Sequence, residues 1–331
     1  MMAKVFLTHI PEMLENYYGP RAVAALSQMA EVAVNPTGRV LDAGGLAEHA
    51  RGCQIIVSDR QTPGPGAFFD QAPGLVAFLR CAVDIRNIDV EAASRNGILV
   101  TQATPGFAMS VAELALGFMV DLARHVPASM IAYRGGEEAP VRMGRQLSGS
   151  VLGIVGYGVI GEYLARLGLA LGMSVLACDP HRTIADKGVR QLSFAEVLAE
   201  ADFVVCLAVA TRETENLMNE AAFAQMRPDA FFINLSRGNL VDEGALERAL
   251  DGKRIAGAAM DVGRAPDQKP SLRLARRPDV IATPHIAGLT PSAIEHQALD
   301  TVEQVRALLA GKLPKGAVNA VKATRLARLR G

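Results

Sequence analysis

The sequence predicts an α/β protein built on parallel sheets, and three observations predict it. Short apolar runs bounded by turn residues alternate with helix-like stretches along most of the chain. That is the pattern of β-α-β units whose helices cover both faces of a sheet. The alternation is lost in the aperiodic stretch "YRGGEEAPVRMGRQLSG" (133–149) and then restarts more regularly. The 331 residues are also enough for about two domains, at a usual size of roughly 150 residues each.

Taken in order, "AKVFLTH" (3–9), "QIIVSD" (54–59) and "GLVAFLR" (74–80) read as strands, and "RAVAALSQMAEV" (21–32) as a helix. The Pro- and Gly-rich "RQTPGPGAF" (60–68) reads as an irregular, exposed loop. A long apolar helical pattern runs from Ser110 to about Ala128. After the restart, "VLGIVG" (151–156) is a strand, "VIGEYLARLGLALG" (159–172) a helix and "SVLAC" (174–178) a strand. "FAEVLAEA" (194–201) is a helix with Ser193 as its N-cap. The strand "DFVVCLAV" (202–209), the helix "EAAFAQM" (220–226) and the strand "AFFINLS" (230–236) follow. "DEGALERALDG" (242–252) is a helix ended by Gly252, and "IAGAAMDV" (255–262) and "DVIAT" (279–283) are strands. A final helix extends from Pro291 to Gly311, and the basic tail "KATRLARLRG" (322–331) is expected to be solvated, or docked at its apolar positions.

Composition narrows the function classes. Lys plus Arg and Asp plus Glu number 34 each, so the net charge is zero and nothing draws the chain to nucleic acid or an acidic membrane. The four cysteines, Cys53, Cys81, Cys178 and Cys206, form no CxxC pair and lie at no metal-ligand spacing from a histidine. They read as free core thiols in a reducing compartment. "MMAKVFLTHIPEML" lacks the apolar stretch of a secretory signal. No apolar run reaches the ~18 residues that span a bilayer, since Glu113 and Asp121 interrupt or end "VAELALGFMV". A cytoplasmic protein with no metal site is expected.

The first chemical motif is "LGIVGYGVIG", in which Gly156, Gly158 and Gly161 form a G-x-G-x-x-G after a strand and at the start of a helix. The first glycine permits a tight turn, the second lets a pyrophosphate approach the backbone, and the third lets helix and strand pack closely. The helix N-terminus would then face the pyrophosphate with free N–H groups. The next strand ends at Asp179, eighteen residues after Gly161. A carboxylate there accepts from the adenosine ribose hydroxyls and repels a 2′-phosphate. NAD is therefore favoured as cofactor over NADP, with the nearby Arg182 as the feature on the other side of that choice.

Three further segments carry a resemblance. "VTQATPGFAMSVAELALGFM" (100–119), "INLSRGNLVDEGAL" (233–246) and "GAAMDV…TPHIAGLT" (257–262 and 283–290) resemble the D-isomer-specific 2-hydroxyacid dehydrogenases, over about residues 75–310. The resemblance implies two Rossmann-like or flavodoxin-like doubly wound domains with an interdomain cleft. Residues 1–104 and 292–331 would form a discontinuous substrate domain and 105–291 an NAD-binding domain, joined by crossing helices that begin near Ser110 and Ser292. It further implies a homodimer with contacts through the cofactor domain. By the same match Arg237 is the catalytic arginine, and a planar guanidinium suits the task of holding a carboxylate and polarising the adjacent keto oxygen. His285 is the acid/base histidine, a role imidazole fills in both directions. Asp261 would contact the nicotinamide carboxamide, and Val159 and Ile160 would offer backbone N–H groups to the pyrophosphate. Ala208, Val209 and Ser236 would lie beside the cofactor, with Thr211 a weaker candidate. His9, His49, His125, His181 and His296 match no motif and read as surface or packing residues, His181 also as a candidate lining of the adenine pocket.

Two departures from the family pattern matter. Such chains usually continue from Asp-Val to a Glu-Pro whose glutamate bonds the histidine. Here Asp-Val is followed by Gly263, Arg264, Ala265 and Pro266, and the carboxylate is missing. Either the Asp267 side chain reaches His285 in its place, or His285 works without a carboxylate, or catalysis has been lost. Gln268 is the one residue that would supply the glutamine that formate dehydrogenases carry there. In the second departure, a glycine-rich turn that cradles the substrate carboxylate is replaced by "RCAVDIRNID" (80–89). Val83 and Asp84 would still place backbone N–H groups at the substrate, but the Asp84 charge would oppose an anion unless Arg86 or another cation pairs it. The expected activity is NAD-dependent interconversion of a 2-oxo acid and a D-2-hydroxy acid. The alternatives are a non-catalytic NAD(H)-binding regulator and hydride transfer from a small oxyanion such as formate.

Overall fold

The structure is a computed structural model and describes residues 2–329. In chain order the elements are β1 (Lys4–Leu7), α1 (Pro11–Tyr17), α2 (Pro20–Ser27), β2 (Glu31–Val34), α3 (Ala43–His49), β3 (Ile55–Ser58), α4 (Gly66–Phe69), β4 (Ala77–Arg80), α5 (Val90–Arg95), β5 (Leu99–Gln102), α6 (Ala108–Arg124) and α7 (Val126–Arg134). There follow β6 (Val151–Val155), α8 (Val159–Ala170), β7 (Ser174–Cys178), β8 (Val189–Gln191), α9 (Phe194–Glu200), β9 (Phe203–Cys206), α10 (Glu220–Gln225), β10 (Phe231–Asn234), α11 (Glu243–Asp251), β11 (Gly257–Met260), α12 (Leu272–Ala275), β12 (Val280–Ala282) and α13 (Pro291–Leu309). They form two compact units: Met1–Gly106 with Thr290–Gly331, and Phe107–Leu289.

Unit 1 is a parallel five-stranded sheet in the order β2-β1-β3-β4-β5. Alternate residues of each strand serve opposite cores, as the pleat requires. Val5, Leu7, Ile55 and Val57 pack with Val302 and Val305 of α13. Phe6 and Ile56 pack with Leu46, Phe68 and Phe69 on the other face. The helix expected through Val32 stops at Ser27, and Glu31–Val34 instead pairs with β1 from Lys4↔Glu31 to Leu7↔Val34. Local helix propensity loses there to a free sheet edge. The opposite edge, β5, is covered by the C-terminal segment. Gln102 N donates to Gly316 O at 3.0 Å, Val318 N to Val100 O at 2.9 Å and Val100 N to Asn319 Oδ1 at 2.8 Å. The basic tail is docked: Arg325 Nη1 donates to Ala72 O at 2.6 Å and Leu75 O at 2.9 Å, and Leu326 and Leu329 pack on the core. Arg330 and Gly331 lie outside the described residues.

Unit 2 is a parallel seven-stranded sheet in the order β12-β11-β10-β9-β6-β7-β8. Its strands read as continuous apolar runs because both faces are covered. Phe203 and Val205 of β9 join the core under α6 and α8, and Val204 and Cys206 the core under α9, α10 and α11. Strand order reverses between β6 and β9, and α/β sheets bind ligands at such a switch point. Ser193 caps α9 as expected, in a full capping box with Glu196. The helix expected from Ser110 to about Ala128 is broken at His125 (φ 55°), because Pro127 in the first turn of α7 has no N–H to continue the ladder. α7 then runs on to Arg134, into the stretch expected to be irregular. The short edge strand β8 carries too little apolar pattern to be anticipated. Among the described residues no single helix is long and apolar enough to cross a membrane. All four cysteines are buried and free, and burial pushes the thiols of Cys81 and Cys206 up to about 12.

Candidate active site

The glycine turn lies at the switch point of unit 2. Gly156 has φ 93°, and a Cβ there would stand 2.6 Å from Ala208 Cα, so the turn and the β9 exit touch through bare backbone. A Cβ at Gly161 would meet Gly156 O at 2.8 Å, whereas one at Gly158 would meet nothing within 4 Å. The three glycines thus divide into a turn, an open approach and a close packing contact. α8 begins at Val159 with no side-chain cap on its first N–H groups, and Val159 and Gly158 are exposed. Asp179, at the end of β7, braces this turn: Oδ2 accepts from Tyr157 N and Oδ1 from His181 N, both at 2.9 Å. Arg182 is engaged elsewhere, donating to Tyr157 O at 3.0 Å and reaching Glu162 at 3.3 Å. Ser236 Oγ donates to Ala208 O at 2.6 Å, which brings Ser236, Ala208 and the glycine turn together, with Val209 exposed beside them. Thr211 N donates to Thr214 Oγ1 at 2.8 Å within its own loop. The open backbone at Gly158, the uncapped helix start and the carboxylate on the next strand fit a dinucleotide.

Arg237 follows β10, and its turn is set by a buried asparagine. Asn234 Nδ2 donates to Arg237 O at 3.0 Å and Asn234 Oδ1 accepts from Ser236 N at 3.1 Å. Arg237 Nη1 donates to Ser236 O at 2.8 Å. Gly238 has to be glycine, since a Cβ there would collide with the Gly263 backbone. The Arg237 turn and the loop leaving β11 are therefore stacked backbone on backbone.

Asp261 and His285 follow the neighbouring strands β11 and β12. Asp261 is fully buried, and its carboxylate accepts from Thr283 Oγ1 at 2.6 Å, Ile286 N at 2.8 Å and Ala287 N at 2.9 Å. Its carbonyl accepts from His285 N at 2.9 Å. The enclosed carboxylate ties the histidine loop to β11. The expected reach of the Asp267 side chain to His285 is corrected. That side chain is 76% exposed and lies 3.8 Å from Lys269 Nζ, while the Asp267 main-chain carbonyl sits 3.0 Å from His285 Nδ1. The shift follows from the backbone. Asp267 and Gln268 hold left-handed conformations (φ 60° and 59°), which turn the carbonyl toward His285 and the carboxylate out. His285 itself has φ 60°. Gln268 Oε1 is enclosed without a hydrogen-bond partner and does not replace the missing carboxylate on His285.

In unit 1, Val83 and Asp84 lie half-buried beyond β4. Arg86 Nε bonds both Asp84 carboxylate oxygens at 3.0 Å and Nη2 adds a bond of 2.5 Å, so the Asp84 charge is paired. Behind them a polar cluster is buried at the carboxyl ends of β1, β3 and β4. Asp59 Oδ2 accepts from Thr8 Oγ1 and Thr62 Oγ1, each at 2.6 Å. Arg80 donates to Asp59 O, to Thr62 O at 3.1 Å and to Asn87 Oδ1 at 2.5 Å. Burial pushes the Arg80 guanidinium down to about 10. It also pushes the Asp59 carboxyl up, but the bonds from Thr62 and Thr8 hold it below its ordinary value. His9 lies here against Tyr18, a packing residue and not a surface one.

Sequence reasoning missed Asn234 and Thr283, which hydrogen-bond predicted residues, and Arg264, which ties the segment after Asp261 to the chain beyond Arg237. Asn234 and Thr283 sit inside the quoted motifs, so their positions were visible but their partners were not. Arg264 gave no signal beyond standing in a segment that departs from the family pattern.

The sequence model of the D-isomer specific 2-hydroxyacid dehydrogenase NAD binding domain matches residues 116–287. D-3-phosphoglycerate dehydrogenase of Synechocystis sp. is 38% identical over 244 residues, covering 72% of this chain and 44% of that protein. The chain spans about half the length of the curated relatives it matches. Among solved structures, the TT0316 protein from Thermus thermophilus is 30% identical with a TM-score of 0.82, covering 95% of this chain and 99% of that one. D-lactate dehydrogenase from Escherichia coli is 25% identical with a TM-score of 0.80, covering 96% and 100%. With an NAD-binding domain matched over half its length, on the same two parallel sheets, the chain belongs to the D-isomer-specific 2-hydroxyacid dehydrogenase family.

Proposed function

We propose that this chain reduces a 2-oxo acid to the D-2-hydroxy acid with NADH and catalyses the reverse reaction with NAD⁺. The observation that carries the reading is the placement of Arg237 and His285 just past the carboxyl ends of β10 and β12, in the sheet that carries the glycine turn on β6. A dinucleotide, when bound, supplies or accepts the hydride. Gly158, Val159 and Ile160 hold its pyrophosphate, Ala208, Val209 and Ser236 flank it, and Asp179 meets the adenosine ribose. With Arg182 turned to Tyr157 O and Glu162, the site favours NAD over NADP. Arg237 holds the substrate carboxylate and polarises the keto oxygen. A carbonyl can only accept, so the Asp267 contact makes His285 Nδ1 the donor and leaves Nε2 to exchange the proton with the substrate oxygen. One hydride on carbon and one proton on oxygen convert the ketone to the alcohol. Asp261 acts from behind by fixing the 283–287 loop. In unit 1, taken by itself, Val83 and Asp84 are the candidate backbone N–H donors for a carboxylate, the Asp84 charge being offset by Arg86. The physiological form is a homodimer that covers the exposed Ile131, Tyr133, Val141 and Met143.

The test is NADH oxidation by the purified protein on 2-oxo acids from glyoxylate and hydroxypyruvate to branched and aromatic acids. Arg237→Ala should lower kcat/KM for the best acid by roughly 10²–10³-fold, with NADH affinity retained. Turnover unchanged in that variant overturns the assignment. The absence of any carboxylate on His285 Nδ1 favours one second reading, a non-catalytic NAD(H)-binding regulator. It predicts NADH binding with no turnover on any acid in the panel.

A further inference from the structure

The segment that lacks the family glutamate is held by an arginine. Arg264 sends its side chain across to the chain that follows Arg237. Its Nε donates to Val241 O at 3.0 Å, and Nη2 donates to Asn239 O at 3.0 Å, Glu215 Oε1 at 2.9 Å and Asn216 Oδ1 at 2.5 Å. Its backbone N donates to Glu243 Oε1 at 3.0 Å. The segments it joins are already paired, with Asn216 N on Asn239 O at 2.9 Å and Met218 N on Leu240 O at 2.9 Å. One side chain thus ties the exit of β11 to residues 215–216 and 239–241, immediately beyond the Arg237 turn. On the same side, Gly238 lies directly on the Gly263 backbone.

What the tie holds is the loop that presents a carbonyl to the histidine. Gly263 N closes it by donating to Gln268 O at 2.8 Å, and Ala265 N by donating to Lys269 O at 3.0 Å. Between them Asp267 and Gln268 keep consecutive left-handed backbone, which non-glycine residues adopt only when their surroundings impose it. These closures, with Lys269 N on Pro266 O at 3.3 Å as a third, lie within the loop and do not by themselves register it against the rest of the fold. A carboxylate on a flexible side chain tolerates movement of its loop, whereas a main-chain acceptor is only as well placed as its loop.

We propose that Arg264 is the positioning residue for His285. By registering the β11 exit loop against the Arg237 turn, it keeps the Asp267 carbonyl on Nδ1, fixes the Nδ1–H tautomer and takes over the orienting task of the absent glutamate. The inference rests on reading His285 as the proton donor, but its direct readout does not.

The experiment is 15N NMR of histidine-labelled full-length protein, with the His285 signals assigned by difference against His285→Gln. The wild-type protein should show His285 as a single Nδ1–H tautomer. Arg264→Met should mix in the Nε2–H tautomer, and Arg264→Lys should restore part of the original ratio. Asn216→Gly removes one acceptor while keeping the left-handed backbone at that position (φ 53°), and should move the ratio less, in the same direction. It serves if Arg264→Met fails to fold. In parallel, kcat for 2-oxo acid reduction should fall roughly 10–100-fold in Arg264→Met, with NADH affinity within about two-fold of wild type. A wild-type tautomer in both variants overturns the proposal. If the wild-type protein turns over no 2-oxo acid, the proposed function fails, while the tautomer ratio still decides the role of Arg264.

Discussion

Asp267, Gln268 and His285 all hold left-handed backbone without being glycine. Each such residue costs on the order of 1 kcal/mol, and the strain is concentrated around one hydrogen bond, from His285 Nδ1 to the Asp267 carbonyl. A neutral carbonyl fixes a tautomer as a carboxylate would, but adds no negative charge beside the imidazole. His9 shows the opposite situation, a histidine with no task in the proposed chemistry and a large electrostatic effect. Burial pushes it down to about 4, with Asp59 opposing and Arg80 reinforcing the shift. As pH falls the unfolded chain takes up this proton first, near its ordinary value, while the folded chain refuses it until about 4. The His9 contribution is therefore steady above pH ~6.5 and declines below it, by about 2 kcal/mol at pH 5. Denaturant unfolding between pH ~7.5 and ~5 should show this slope in the wild-type protein and lose most of it in His9→Gln. Equal slopes in the two proteins would place the titrating group elsewhere.

Among the elements, β5 depends on the C-terminal segment that covers its edge. An edge strand left open is a template for pairing with another chain. Here Gly316–Asn319 occupies the edge, fixed by Thr101↔Ala317 pairing and by Gln304, whose Nε2 donates to Gln102 O at 2.8 Å. Removing residues 316–331 should cost at least ~3 kcal/mol from lost hydrogen bonds, lower the thermal midpoint and promote aggregation. NADH binding, which draws on unit 2, should survive at low temperature. A truncated protein that melts and stays monodisperse like the full chain would show that the edge is protected by other means. The elements were legible in proportion to their own pattern. α9 with its capping box, α11, β6 and β9 follow from local residues alone. β2 and the break at His125 did not, because a strand pairing and a proline two residues downstream overrode a continuing helical pattern.

On the scale of the whole molecule, exposed apolar side chains are concentrated on α7 and the stretch after it. Val141 and Met143 are 103% and 95% exposed, and Ile131 and Tyr133 lie near them in sequence. Patches of this kind mark association surfaces. Sedimentation should find a dimer, and Val141→Glu combined with Met143→Glu should shift it toward monomer; a monomeric wild-type protein would contradict the reading. The sequence by itself determined the α/β class, the dinucleotide turn, its acidic partner on the next strand, and Arg237 and His285 as candidates. These rest on patterns of a few neighbouring residues, and a glycine turn or a capped helix contains its own physical reason. Only the tertiary structure decided that Asp261 is enclosed, that Arg86 pairs Asp84, that Arg264 spans two loops, and that His285 meets a carbonyl where a carboxylate was expected. Which atom reaches a histidine depends on the sign of φ at two loop residues, in a loop whose hydrogen bonds extend to partners as remote as Glu215, forty-nine positions from Arg264.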